Sequence, residues 1–192
     1  MGKACSTGAR AEGGALRFRR NWFIMGRGAI VTGGGFMSGK AFVRRAETAE
    51  AVYKAEHPGY EYTKRIIVGK ADSEHFDVSV YEVPPGKSAV PYHHHARNEE
   101  VFLILSGTAL LKSPEGERVV AAGDFLYFPN NENGAHKLTN TSETERLVYA
   151  DFDIRHDPEV AYYPDSDKVG VMDKGVFTLF PRAEKVGYYE GE

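Results

Sequence analysis

The 192-residue chain has almost no cysteine, no long apolar run and no overall excess of basic charge. Cys5 is the only cysteine, so no intrachain disulfide can form, and a reducing cytoplasm is the simplest setting. The longest apolar piece near the start, Trp22-Phe23-Ile24-Met25, is flanked by glycine and charge and falls far short of the roughly 20 apolar residues that span a bilayer. A formal net charge of -3 offers no basic footprint, so neither nucleic acid nor a membrane is expected as a partner. What is present is ordinary for a globular chain, with 42% hydrophobic and 27% charged residues. A chain this long buries enough surface to fold without disulfides or a structural metal, so any bound ion is expected to be functional.

Charge and glycine are unevenly spread. Residues 1–36 hold nine of the 21 glycines and a net charge of +5, which leaves -8 for residues 37–192. The leader lacks periodic apolar residues and is expected to be disordered. Three sharper readings compete: an Arg-rich transit peptide, a myristoylation signal at Met1-Gly2-Lys3-Ala4-Cys5-Ser6, and an upstream stretch preceding a true start at Met37. Serine is scarce and short signal matches arise easily by chance, so the third is favoured. Residues 37–192 are then a single domain with its core at about 76–152.

Within that domain, Ala49, Val52, Tyr53 and Glu56 permit a short helix over Ala46 to Glu56, ended by His57-Pro58-Gly59. Turn signals then recur at short intervals. They delimit candidate strands at Tyr62 to Val68, Phe76 to Val83, Val90 to His95, Glu100 to Leu105, Thr108 to Lys112, Arg118 to Val120, Phe125 to Phe128, His136 to Asn140 and Arg146 to Phe152. Many short strands without alternating helices predict an all-β antiparallel sandwich or barrel. Val101 to Leu105 and Phe125 to Phe128 are apolar on both faces and are expected to be covered on both, by the interior and by a second sheet or subunit.

The chemistry concentrates in Pro91-Tyr92-His93-His94-His95-Ala96-Arg97-Asn98-Glu99-Glu100. On a strand, His93 and His95 share a face and His94 points the other way. Two imidazoles and a carboxylate are suitable ligands for iron, manganese, nickel or zinc. Strand parity alone leaves the carboxylate undecided: Glu99 turns inward on a continuous strand, and Glu100 does so only if Ala96-Arg97-Asn98 form a turn.

Gly86, His93, His95, Glu100 and Gly107 resemble the first motif of the cupin superfamily, and Gly123, Pro129, Gly134, His136 and Asn140 resemble the second. The resemblance covers roughly Phe76 to Phe152. It implies a double-stranded β-helix, a jelly-roll-like antiparallel barrel, in which His93, His95, Glu100 and His136 hold one divalent transition metal ion. Three departures stand out: six residues rather than five separate Gly86 from His93, Asn130 to Asn133 lengthen the second motif, and only Ala135 separates Gly134 from His136. No ligand position is lost. Ala161 to Val171 also resembles the tail of small stand-alone microbial cupins.

His94 and Glu99 are expected to face solvent or to back the ligands, and His57, His75 and His156 to lie at the surface. Tyr149, Asp151 and Asp153 share a strand face from which a carboxylate could carry protons. They suit a barrel rim equally well. Arg155, His156 and Asp157 read as solvated loop. The leading functional reading is a metal-dependent enzyme of dioxygenase, decarboxylase or isomerase type acting on a small polar organic molecule. The alternative is a non-catalytic module that binds or senses such a molecule. A homodimer paired through its sheets is expected.

Overall fold

The computed structural model describes residues 40–183 and 186–192; the leader, Met37 and the readings placed on them lie outside the described residues. Strands dominate. A six-stranded sheet runs in the order β1 (Glu50–His57), β2 (Tyr60–Val68), β3 (Phe76–Val83), β10 (Leu147–Ile154), β5 (Glu100–Ser106) and β8 (Phe125–Phe128). Opposite it lie a three-stranded sheet of β7 (Gly116–Ala121), β6 (Thr108–Ser113) and β9 (Lys137–Asn140), and a four-stranded sheet of β13 (Val176–Pro181), β12 (Lys168–Asp173), β11 (Glu159–Tyr163) and β4 (His94–His95). Every pairing between these strands is antiparallel. An isolated bridge between His93 and His136 joins the two smaller sheets. The arrangement is an all-β double-stranded β-helix.

Alternation decides which side chains fill it. On β5, Phe102 and Ile104 point inward with Leu126 and Phe128 of β8, and Val83, Leu111, Leu138 and Leu147 close the apolar end. Each fully buried side chain of this kind contributes about 1.5–3 kcal/mol. Two glycines sit where no other residue fits. Gly107 has φ +82°, and a Cβ there would lie 2.7 Å from the Arg146 carbonyl oxygen. A Cβ on Gly134 would overlap the Pro129 carbonyl oxygen. The side chain of Asn140, fully buried, donates to the Val83 and Glu145 carbonyls at 2.9 Å each and accepts from Ser142 N–H at 3.0 Å. It thereby pins the loop entering β10.

Two expectations are corrected. The helix over Ala46 to Glu56 is absent: one 3-10 turn at Ala46–Thr48 leads into β1. His57-Pro58-Gly59, read as a helix stop, belongs to the hairpin turn between β1 and β2, with Gly59 at φ +90° and His57 paired to Tyr60. Cross-strand pairing satisfies the β1 backbone and overrides a weak helical periodicity. The proposed strand Val90 to His95 shrinks to His94–His95 plus the His93 bridge. On the outer faces of β5 and β8, Leu105, Phe125 and Tyr127 are exposed in the single chain, which leaves a second subunit, rather than a second sheet, as the expected cover.

Candidate metal centre

Four segments converge at one end of the barrel. His93 is fixed by two backbone hydrogen bonds to His136, at 3.2 and 2.9 Å, so that their rings lie 4.7 Å apart between centroids. His95 follows two residues later on the same face, and its ring centroid is 5.0 Å from that of His93. His94 turns away and stacks on Tyr162.

Both His93 and His136 have Nδ1 against a backbone carbonyl two residues back, Pro91 at 3.0 Å and Gly134 at 2.9 Å. A carbonyl can only accept, so Nδ1 carries the proton and Nε2 presents its lone pair inward. The His136 ring is held from both sides, stacked on Phe128 at 3.7 Å between centroids and met edge-on by Phe102. Burial, above all, pulls its pKa down to about 3, and burial followed by the neighbouring His136 and His95 holds His93 well below the usual imidazole range. Both rings are therefore neutral, the form that binds metal.

The choice between the two glutamates is settled by a turn at residues 96–98. Glu159, 2% exposed on β11, accepts from three successive backbone N–H groups: Ala96 at 3.0 Å, Arg97 at 3.2 Å and Asn98 at 2.9 Å. That turn resets the alternation, so Glu100 enters the barrel while Glu99 lies outside and accepts from the Tyr127 hydroxyl. Glu100 Oε2 lies 3.4 Å from His136 Nε2 and 3.5 Å from His95 Nε2. Burial raises the Glu100 carboxyl to about 7, against the opposing pull of His95. For His95, burial alone would lower the pKa; the carboxylates of Glu159, Glu100 and Asp153 outweigh it and raise it to about 9.

Ligand atoms of His93, Glu100 and His136 all lie within 4.8 Å of one another. His95 falls outside that trio but faces the same Glu100 oxygen. Glu100 Oε2 and His136 Nε2 are buried and lack a hydrogen-bond partner. Buried polar atoms left unpaired are rare, and a convergent pair of acceptors fits a cation between them. The donor set of imidazole nitrogens and one carboxylate therefore suits a divalent transition metal.

Residues 79–153 match the cupin domain family. That segment is a cupin domain. Among solved structures, a provisional sugar phosphate isomerase from Acidithiobacillus ferrooxidans is 28% identical, with 75% of this chain and 92% of that one aligned at a TM-score of 0.65. A sugar phosphate isomerase of the cupin superfamily from Silicibacter pomeroyi is 21% identical over 72% of this chain and 91% of that one, TM-score 0.64. A polyketide cyclase from Streptomyces resistomycificus is 21% identical over 62% and 84%, TM-score 0.53. The last two show the likeness of fold alone. No curated protein sequence matches the chain.

Several groups lie elsewhere than the sequence suggested. Arg155 is no solvated loop residue of this cupin: it is 8% exposed, donates to Asp77 at 2.7 Å and to the carbonyls of Ser73 and Glu74. His156 is partly buried, its backbone N–H donating to Asn98 Oδ1 at 2.8 Å, whereas His57 and His75 are exposed. Of the two placements the sequence left open for Asp151, interior and rim, the structure takes the interior. Glu159 was missed altogether, because a lone glutamate after a proline carries no spacing signal; its role arises from loop closure across more than sixty residues of sequence.

Proposed function

We propose that His93, His95, Glu100 and His136 hold one divalent transition metal ion and that the site catalyses an isomerase-type rearrangement of a small polar organic molecule. The carrying observation is the trio of converging ligand atoms with two buried, unpaired acceptors among them. When bound, the ion would polarise a substrate carbonyl or hydroxyl as a Lewis acid. The chain's own groups supply the proton handling. Asp153 lies directly across from Glu100 in the strand register, and Asp151 is two residues further into the barrel. Burial, ahead of other influences, raises the pKa of both carboxyls, so each holds a proton more readily than an exposed aspartate, the property asked of a group that takes up and returns one. Moving a proton between neighbouring carbons is isomerase chemistry, and the 28% identical relative bears that description.

Elemental analysis of untagged protein purified without added metal tests the first half; absence of a stoichiometric first-row ion, or full retention by His95→Ala, defeats it. Deuterium uptake from solvent next to the carbonyl of hydroxy-carbonyl compounds tests the second. Metal without such exchange would defeat the isomerase reading alone.

We further place the protein in the cytoplasm as a homodimer, paired over the exposed apolar outer face that includes Phe76, Phe125, Tyr127 and Ile154. A monomer by light scattering at micromolar concentration would refute the pairing. No helix among the described residues is long and apolar enough to cross a membrane.

A further inference from the structure

Next to the metal centre, the inner wall built by β2, β3 and β10 carries polar groups that nothing in the described chain satisfies. The register aligns them: Tyr149 faces Tyr81, Asp151 faces Ser79, and Lys64 faces Tyr81 from the other side. Alternation puts Tyr149, Asp151 and Asp153 on the face shared with Glu100. Ser79 is 3% exposed, Tyr149 2%, Asp151 7% and Tyr81 8%. Asp151 Oδ1 and Asp153 Oδ1 are buried without a partner, and the buried Ser79, Tyr81 and Tyr149 bring three hydroxyls to the same wall.

A structural core does not tolerate this pattern. Each buried polar group left unpaired costs about 1–3 kcal/mol, and here two carboxyl oxygens share one wall. The tyrosine rings are stacked at 5.0 Å and nearly parallel, so they are held by packing rather than by their hydroxyls. Burial, followed for Tyr81 by the charge of Asp151, keeps both phenols protonated.

We propose that this wall is a recognition subsite for the hydroxyl groups of a polyhydroxylated, sugar-like ligand, with Asp151 and Asp153 as acceptors and Ser79, Tyr81 and Tyr149 as paired donors and acceptors. The inference rests on the proposed binding of a small polar molecule beside the metal, and it names the chemistry of that molecule. Charge selects the class. Glu100, Asp151 and Asp153 line the same face, with His95 and Lys64 as the cations whose charges act on all three, so this wall sets three acidic groups and three hydroxyls against two cations and favours a hydroxylated group over an anionic one. Hydroxyls both donate and accept, so they can pair with the acidic groups and with the phenols at once. A ligand of this class can carry an anionic end, provided that end points away from β10.

The test uses saturation-transfer difference NMR on the full chain stripped with a chelator. Probes are D-xylose, D-glucose and ribitol, with malonate and succinate as dianions lacking hydroxyls. Saturable binding of at least one polyhydroxy probe is expected, with neither dianion bound. Asp151→Leu, close in volume and apolar, and Ser79→Ala should each weaken it by about tenfold or more, while thermal melts confirm folding. Binding of dianions alone, binding of no probe, or unchanged affinity in folded variants overturns the subsite. Metal content is measured separately. Protein that purifies without metal yet binds sugars once stripped overturns only the metal reading; protein that purifies with stoichiometric metal but binds no probe once stripped overturns only the subsite.

Discussion

Asp151→Asn isolates the energetic consequence of this interior. The side chain is 7% exposed, one oxygen has no partner, and its pKa is raised well above the ordinary carboxyl value, first by burial and then by the charge of Glu100. A raised folded value means that the native chain binds a proton which the unfolded chain releases near pH 4. Stability then falls as pH rises through the window between the unfolded and folded values, by up to about 1.4 kcal/mol per pH unit. Asparagine keeps the shape and removes the titration. Chelator-treated wild type and Asp151→Asn should therefore diverge progressively above pH 4, with the variant the more stable at neutral pH and its Tm higher by roughly 2–4 °C for each kcal/mol gained. Part of the gain comes from relieved repulsion with Glu100 and Asp153, so the increment need not belong to one site. Urea unfolding at a series of pH values reads the slope directly. Parallel slopes, or a variant less stable at pH 7, would show that Asp151 is ionised and paired in the native protein.

Other consequences follow from the same geometry. Glu159→Gln replaces one acceptor oxygen with a donor, so at least one backbone N–H of residues 96–98 loses its partner; amide exchange there should accelerate and metal affinity fall about 10- to 100-fold, as read by calorimetry. Unchanged affinity would remove Glu159 from the support of His95. Gly134→Ala forces a Cβ against the Pro129 carbonyl and should cost about 2 kcal/mol or more in urea unfolding. A neutral result would mean that this loop relaxes freely.

Much of the barrel was legible because a period-two pattern bounded by Gly and Pro turns depends only on local chemistry. Eight of the nine anticipated strands are present with ends within about two residues. The region after Phe152 was not legible: β11, β12 and β13 pair mainly with one another and with β4, and only their register shows which residues face inward. Misreading β1 as helix has the same origin, since its backbone is satisfied by β2 rather than by itself.

The metal centre divides along that line. The amino-acid sequence by itself determined that two imidazoles share a strand face, that a carboxylate follows, and that a third imidazole lies on a later strand; side-chain parity is a property of the local chain. It left Glu99 and Glu100 open until motif spacing favoured Glu100. Only the tertiary structure showed how Glu100 is turned inward, because the turn that resets parity is held by Glu159 from a strand distant in sequence. Likewise, Asp151 becomes an interior group rather than a rim group only when β3 and β5 close on either side of β10, and such burial is a property of the assembled sheet.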